Sequence, residues 1–152
     1  MPREFFSPAE LKEWVGREVG SSDWIPVSQA IIDQFAEATG DHQWIHVDVP
    51  RAQAETPFKS TIAHGFLTLS LLSQMLPQVF VFKTARMGLN YGLNKLRFTA
   101  PVPSGSRVRG HFVLKALEDF DGGVQMTWGV TVEVEGSSKP CLVAEWLTRR
   151  YN

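Results

Sequence analysis

Along this 152-residue chain the spacing of apolar positions changes from helical to alternating, and the change divides the sequence into two kinds of element. "SPAELKEWVG" opens on Ser7 at an N-cap position, carries Pro8 at the first helical position and closes on Gly16, which predicts a short first helix. "SDWIPVSQ" is too short and too β-branched for a helix and reads as a strand. Ser28 then caps "SQAIIDQFAEATG", in which Ile31, Ile32, Phe35 and Ala36 share one helical face and Gly40 supplies the stop. "VPRAQAET" predicts another short helical piece and "PFKSTIA" a loop. "HGFLTLSLLSQMLPQVF" is apolar on nearly every side, the pattern of a long helix buried all round.

Beyond that helix the period is two. "ARMGLNYGLNKLRFTAPV", "SRVRGHFVLKALED", "VQMTWGVTVEVEG" and "KPCLVAEWLTRRY" alternate between turns built on "PVPSGS", "DFDGG" and "EGSSKP", an antiparallel meander of long strands. One buried helix followed by such a meander predicts the α+β class, with a curved antiparallel sheet wrapped around a long central helix. The length suits a single domain over residues 1–152, with residues 1–19 as an N-terminal helical extension. A sheet of this kind leaves edges that need covering, so a homodimer is expected.

Charge and composition narrow the partners. Fifteen Lys plus Arg and sixteen Asp plus Glu leave a formal charge of -1, so no field directs the chain to nucleic acid or to an anionic membrane, and neither is expected as a partner. The opening "MPREFFSPAELKEW" contains acids and lacks the apolar run of a signal peptide, and nowhere do about eighteen apolar residues follow one another. A cytoplasmic location is expected. The single cysteine, Cys141, sits in "KPCLVAEW" among apolar residues and without a basic neighbour, which excludes an intrachain disulfide and predicts a buried strand residue.

The densest ionisable chemistry follows the second helix, in "ATGDHQWIHVD". Asp41 and His46 stand five residues apart, close enough to hold one water between them if the segment bends back. A carboxylate and an imidazole so placed divide the acid and base roles. Each alone has a plainer use, the acid in a turn and the imidazole in a structural hydrogen bond. Gly65 opens the "HGFLTLS" helix, whose N-terminus offers free backbone N–H groups and the positive end of its dipole, and the absent Cβ permits close approach. His42, His46, His64 and Asp48 fit no common zinc spacing, so neither a metal nor another cofactor is expected. His111 reads as structural. Lys83, Arg86, Lys95 and Arg97 read as solvated strand charges, or as partners for phosphates.

"GDHQWIHVD", then "IAHGFLTLSLLS", then "LRFTAPVPSGSRV" together resemble the MaoC-like dehydratase family of hotdog-fold (R)-specific enoyl-CoA hydratases, and its nodulation-protein-N-like branch in particular. The resemblance covers about residues 20 to 150. It implies a hotdog fold, an acyl-CoA thioester substrate and reversible hydration of trans-2-enoyl-CoA to (R)-3-hydroxyacyl-CoA. It implies the catalytic pair Asp41 and His46, the oxyanion N–H of Gly65 and a supporting role for Ser73. The family's Asn-Pro between the catalytic residues is here Gln43-Trp44, and the acidic residue expected after Gly105 is Ser106. Gln43, Trp44, His64 and Phe66 are the candidate substrate-binding residues. Trp44, Phe66 and Met75 are candidates to shorten or line an acyl tunnel. Two other readings stay open: a hotdog thioesterase, which has no need of His46, and a catalytically silent acyl-thioester binding module, prompted by Gln43-Trp44.

Overall fold

The computed structural model describes residues 1–152. In chain order they form β1 (Arg3–Phe5), α1 (Pro8–Lys12), β2 (Arg17–Ser21), β3 (Ile25–Val27), α2 (Gln29–Thr39), α3 (Trp44–Val47) and α4 (Val49–Glu55). Then follow α5 (Gly65–Ser70), α6 (Leu72–Met75), a 3-10 turn (Leu76–Gln78), β4 (Phe80–Phe82), β5 (Met87–Arg97), β6 (Ser106–Phe120), β7 (Gly123–Val134) and β8 (Leu142–Tyr151). The main sheet runs β2-β6-β7-β8-β5, with β3 also paired to β6, and all its pairings are antiparallel. This is the α+β architecture that the alternating second half predicts.

Local chemistry places the helix ends. Ser28 accepts from the Ile31 N–H at 3.2 Å, and Gly40 ends α2 at φ 78°, a left-handed conformation that costs glycine nothing. On the strands the period of two separates the faces. Val108, Phe112 and Leu114 of β6, Met126, Trp128 and Val130 of β7, and Leu142, Ala144 and Trp146 of β8 turn into one core. Trp128 lies fully buried, edge-on to Phe80 and Phe112, and its indole N–H donates to Thr148 Oγ1 at 3.0 Å. That bond meets the one polar demand of so large a buried ring.

Two expectations change in detail. The central helix runs through α5, α6 and the 3-10 turn, with Leu71 right-handed helical between them, its N–H on the Leu67 carbonyl and its own carbonyl accepting from the Met75 N–H. Leu67, Leu72, Met75 and Leu76 enter the core, whereas Phe66, Ser70, Ser73 and Gln74 are not buried, so within this chain the helix is buried on one side only. Residues 1–19 are not a helical extension either. Besides α1 they carry β1, which pairs in parallel with β4, and most of β2, which extends the main sheet against β6. Phe5 and Leu11 anchor this segment in the core. No helix is long and apolar enough to cross a membrane.

Candidate active site

The site forms where three connections meet. The left-handed Gly40 turns the chain out of α2, so Asp41 begins an exposed turn in which its carboxylate accepts from the Gln43 N–H at 3.3 Å. The single turn of α3 then carries His46 inward to 7% exposure. The Gln29 amide on α2 donates to the His46 carbonyl at 2.7 Å and accepts from the Thr61 hydroxyl, tying this short helix to the loop before α5.

His46 Nδ1 lies 2.7 Å from the Ile62 carbonyl oxygen. A carbonyl only accepts, so Nδ1 carries the proton and Nε2 keeps a free lone pair. Burial pushes the His46 imidazolium toward its neutral form and outweighs the Ile62 bond, which favours the charge; neighbouring His64 also opposes the charge and Asp41 favours it. The net effect holds His46 below its ordinary 6.5, so at neutral pH it is a base with its lone pair available.

The ring of His64 stacks on that of His46, with centroids 3.8 Å apart and planes at 23°, and its Nε2 lies 3.0 Å from the Asp41 carbonyl oxygen. Asp41, His46 and His64 each bring one ligand-capable atom to within 4.8 Å of the others. Folding thus gathers three groups whose sequence spacing shows no metal pattern. Their geometry suits proton exchange better than coordination, because imidazole lone pairs lie in the ring plane and those of two stacked rings run side by side. One nitrogen of each ring is also committed to a carbonyl. His42 and Asp48 lie elsewhere: His42 pairs with Glu37 at 3.3 Å, and Asp48 caps α4 through the Arg51 N–H.

Gly65 is the first residue of α5, where an N–H has no intrahelical acceptor. A Cβ there would lie 2.9 Å from two carbons of the Phe98 ring, so any larger residue must displace that ring or the helix start. Asp41, His46, His64, Gly65, Phe66 and Phe98 line a hollow of about 250 Å³. A second hollow, of about 280 Å³, continues past His46, Gly65 and Phe98 between Ala63, Ala100, Val102 and Cys141. Cys141 is buried, and burial pushes its thiol up to about 11.

Several expected residues stand apart from this centre. Gln43 is exposed and Trp44 half-buried beneath the Arg51 guanidinium, 4.0 Å from its ring centroid, and neither lines the two hollows. Ser73 points to separate hollows beside Asn90 and Trp146 and is not brought to Asp41 or His46 within this chain. Met75 is core. Lys83 pairs with Glu4, while Lys95 and Arg97 join Lys115 around Glu145. Ile62 and Phe98 escape a reading for chemistry, one acting through a carbonyl that any residue has and the other arriving from beyond β5. The only sequence signal for Phe98 is its place within "LRFTAPV".

Comparison with known proteins identifies the family and the fold. A family model described as "MaoC like domain" matches residues 10–136. Over 148 residues the chain is 53% identical to a Mycobacterium tuberculosis protein named 3-hydroxyacyl-thioester dehydratase Z, covering 97% of each. It is 51% identical to nodulation protein N of Rhizobium leguminosarum bv. viciae, covering 93% of this chain and 89% of that one. Among solved structures, the unliganded (R)-hydratase of Pseudomonas aeruginosa superposes with a TM-score of 0.72 at 25% identity, over 91% of this chain and 82% of that one. A family match spanning most of the chain, relatives identical at about half their positions and a common hotdog fold lead to one statement: this chain belongs to the MaoC-like domain family.

Proposed function

We propose that the protein is a hydro-lyase that adds water reversibly to a trans-2-enoyl-CoA, giving the (R)-3-hydroxyacyl-CoA. The observation that carries this reading is the meeting of Asp41, His46 and Gly65 at one hollow that shares the walls His46, Gly65 and Phe98 with an apolar one. Water bound between the Asp41 carboxylate and the bare Nε2 of His46 loses a proton to the pair as its oxygen bonds to C3 of the enoyl group. The C2–C3 π electrons move toward the thioester, whose oxygen takes up negative charge against the Gly65 N–H. A proton from the pair then reaches C2, and the double bond has gained H and OH. A pair of proton carriers contributes roughly 10²- to 10⁴-fold each, and one preorganised oxyanion donor about 3 kcal/mol.

Ala63, Ala100 and Val102 offer the acyl chain an apolar wall. The relatives' names, a hydroxyacyl-thioester dehydratase and an (R)-hydratase, support both the reaction class and its stereochemistry. Lys95, Arg97 and Lys115, on the next stretch of β5 and across the sheet, offer cations to the phosphates of coenzyme A. A homodimer belongs to this reading. β5 is a sheet edge that exposes Met87, Leu89, Tyr91 and Leu93, and a second copy would cover them.

The test follows crotonyl-CoA by loss of enoyl-thioester absorbance with a parallel thiol assay. Absorbance should fall without thiol release, and Asp41→Asn and His46→Gln should each lose at least about a hundredfold in rate. Thiol release would instead mean a thioesterase. Binding of acyl-CoA with neither signal, across short and long enoyl chains, would mean a silent binding module.

A further inference from the structure

His64 has no part in the steps above, yet it touches every group that does. It bonds the Asp41 main chain, lies flat on the His46 ring and is joined by a peptide bond to Gly65. Resting on the hydratase reading, we propose that His64 is the positioning residue of this site: its Nε2–H holds Asp41 while its ring face holds the His46 imidazole, so one side chain sets the geometry between the two proton carriers.

Asp41 has need of such a tie. It stands on an exposed turn, and its other hydrogen bonds, from its N–H to Thr39 Oγ1 and from the Gln43 N–H to its carboxylate, are both 3.3 Å and stay within the turn. The 3.0 Å bond from His64 is the one that joins Asp41 to another element of the fold. His64 itself is only 3% exposed and is packed against Phe35, centroids 5.0 Å apart, so the tie is made from a fixed base.

The chemistry of the bond also explains why a histidine stands there. The Asp41 carbonyl accepts, which puts the His64 proton on Nε2 and leaves Nδ1 bare; buried Nδ1 has no partner among the protein's atoms. An acceptor hidden without a partner is a cost that a phenylalanine of similar shape would avoid. Histidine joins a flat face for stacking to an N–H at its far end, and those are the two contacts the dyad uses. Loss of the tie frees Asp41 to drift, and a misplacement of about 1 Å at a reacting group costs on the order of a hundredfold.

The experiment compares His64→Phe, which keeps a ring but no donor, with His64→Gln, whose amide N–H reaches about as far as Nε2. Folding is checked by circular dichroism and thermal melting, and crotonyl-CoA hydration is the assay. His64→Phe should lower kcat about a hundredfold with KM changed less than about threefold, and His64→Gln should stay within about tenfold of wild type. Added to Asp41→Asn, His64→Phe should cost less than about threefold more, because it acts through a group already disabled. Unchanged kcat in His64→Phe, a loss confined to KM, a glutamine variant as damaged as the phenylalanine one, or full additivity would each overturn the proposal. Should His64→Phe not fold, His64→Asn, too short to reach the carbonyl, takes its place with the same expectations. Nitrogen NMR of the wild-type imidazoles reads the tautomer without substrate. A proton on His64 Nδ1 overturns the positioning role, whereas wild-type protein inactive on every enoyl thioester overturns the hydratase reading instead.

Discussion

Gly65→Ala adds a single methyl group at the start of α5, where both hollows meet and where the proposed reaction holds the thioester oxygen. The added Cβ would stand 2.9 Å from Phe98 Cδ2 and Cε2 and 3.0 Å from Cγ, where ordinary contact begins at 3.4 Å, so the ring or the α5 backbone must yield by about 0.5 Å. Overpacking costs roughly 1 to 3 kcal/mol in a closed core. Phe98 is 45% exposed and has room to move outward, so the lower end, about 1 kcal/mol, applies. For a chain of this length that is roughly 2 to 4 °C in Tm, readable by calorimetry. Activity should suffer more, because Phe98 walls both hollows and the methyl group stands where the thioester oxygen approaches in the proposed reaction; a loss of about ten- to a hundredfold in kcat is expected. Phe98→Ala in the same chain should remove the stability penalty, giving a favourable coupling of about 1 kcal/mol. Wild-type kcat in Gly65→Ala, or strictly additive stabilities in the double mutant, would refute the close-approach argument.

Further outcomes follow from three perturbed groups, His46, Glu133 and Cys141. Because burial holds His46 below 6.5, hydration should be constant around neutrality and lose rate on an acid limb below that value. Asp41→Asn removes an attraction that favours the His46 charge, so residual activity, or the His46 NMR titration, should move that limb to lower pH; movement upward would contradict the assignment. The same depression makes the unfolded chain the better proton binder, so the His46 contribution to stability is complete above 6.5 and disappears as pH falls through the folded value. Around Glu133, burial favours the neutral acid, but hydrogen bonds from His111 at 2.8 Å and Arg109 at 2.6 Å outweigh it and hold the carboxyl below 4.5. Wild type should therefore melt above Glu133→Gln at neutral pH, and the two curves should converge as pH falls through the depressed value; a constant gap down to strong acid would refute the pairing. Cys141, its thiol pushed up to about 11, should resist iodoacetamide at pH 8 in the native protein and react once unfolded, as mass spectrometry would record.

Elements whose signals lie within a few neighbouring residues are legible in the amino-acid order. The caps Ser7 and Ser28, the stop at Gly40 and the inward-outward alternation of β6, β7 and β8 are local, set by side chains that satisfy the nearest backbone groups or by the two faces of a pleated strand. The one-sided burial of the central helix is not legible, since its apolar run covers nearly every face. Trp44 shows how a neighbour in sequence becomes remote in space. It precedes His46 by two positions on one helical turn, about 200° around the axis, so the rotation that buries the imidazole turns the indole away. Ser73, eight residues beyond Gly65, lies within this chain beside β5 and β8 rather than beside Asp41 and His46.

By itself the sequence determined the α+β class, the buried state of Cys141 and the clustering of ionisable residues after the second helix, because periodicity, capping and motif spacing are properties of short stretches of chain. Only the tertiary structure decided that Ile62 orients the His46 ring, that the Phe98 ring crowds position 65, and that His64 joins Asp41 to His46. Each of those contacts joins residues from 16 to 33 positions apart, and two depend on a backbone carbonyl that no side chain announces. Their geometry exists only once the loops before α3 and α5 and the end of β5 close around the same hollow.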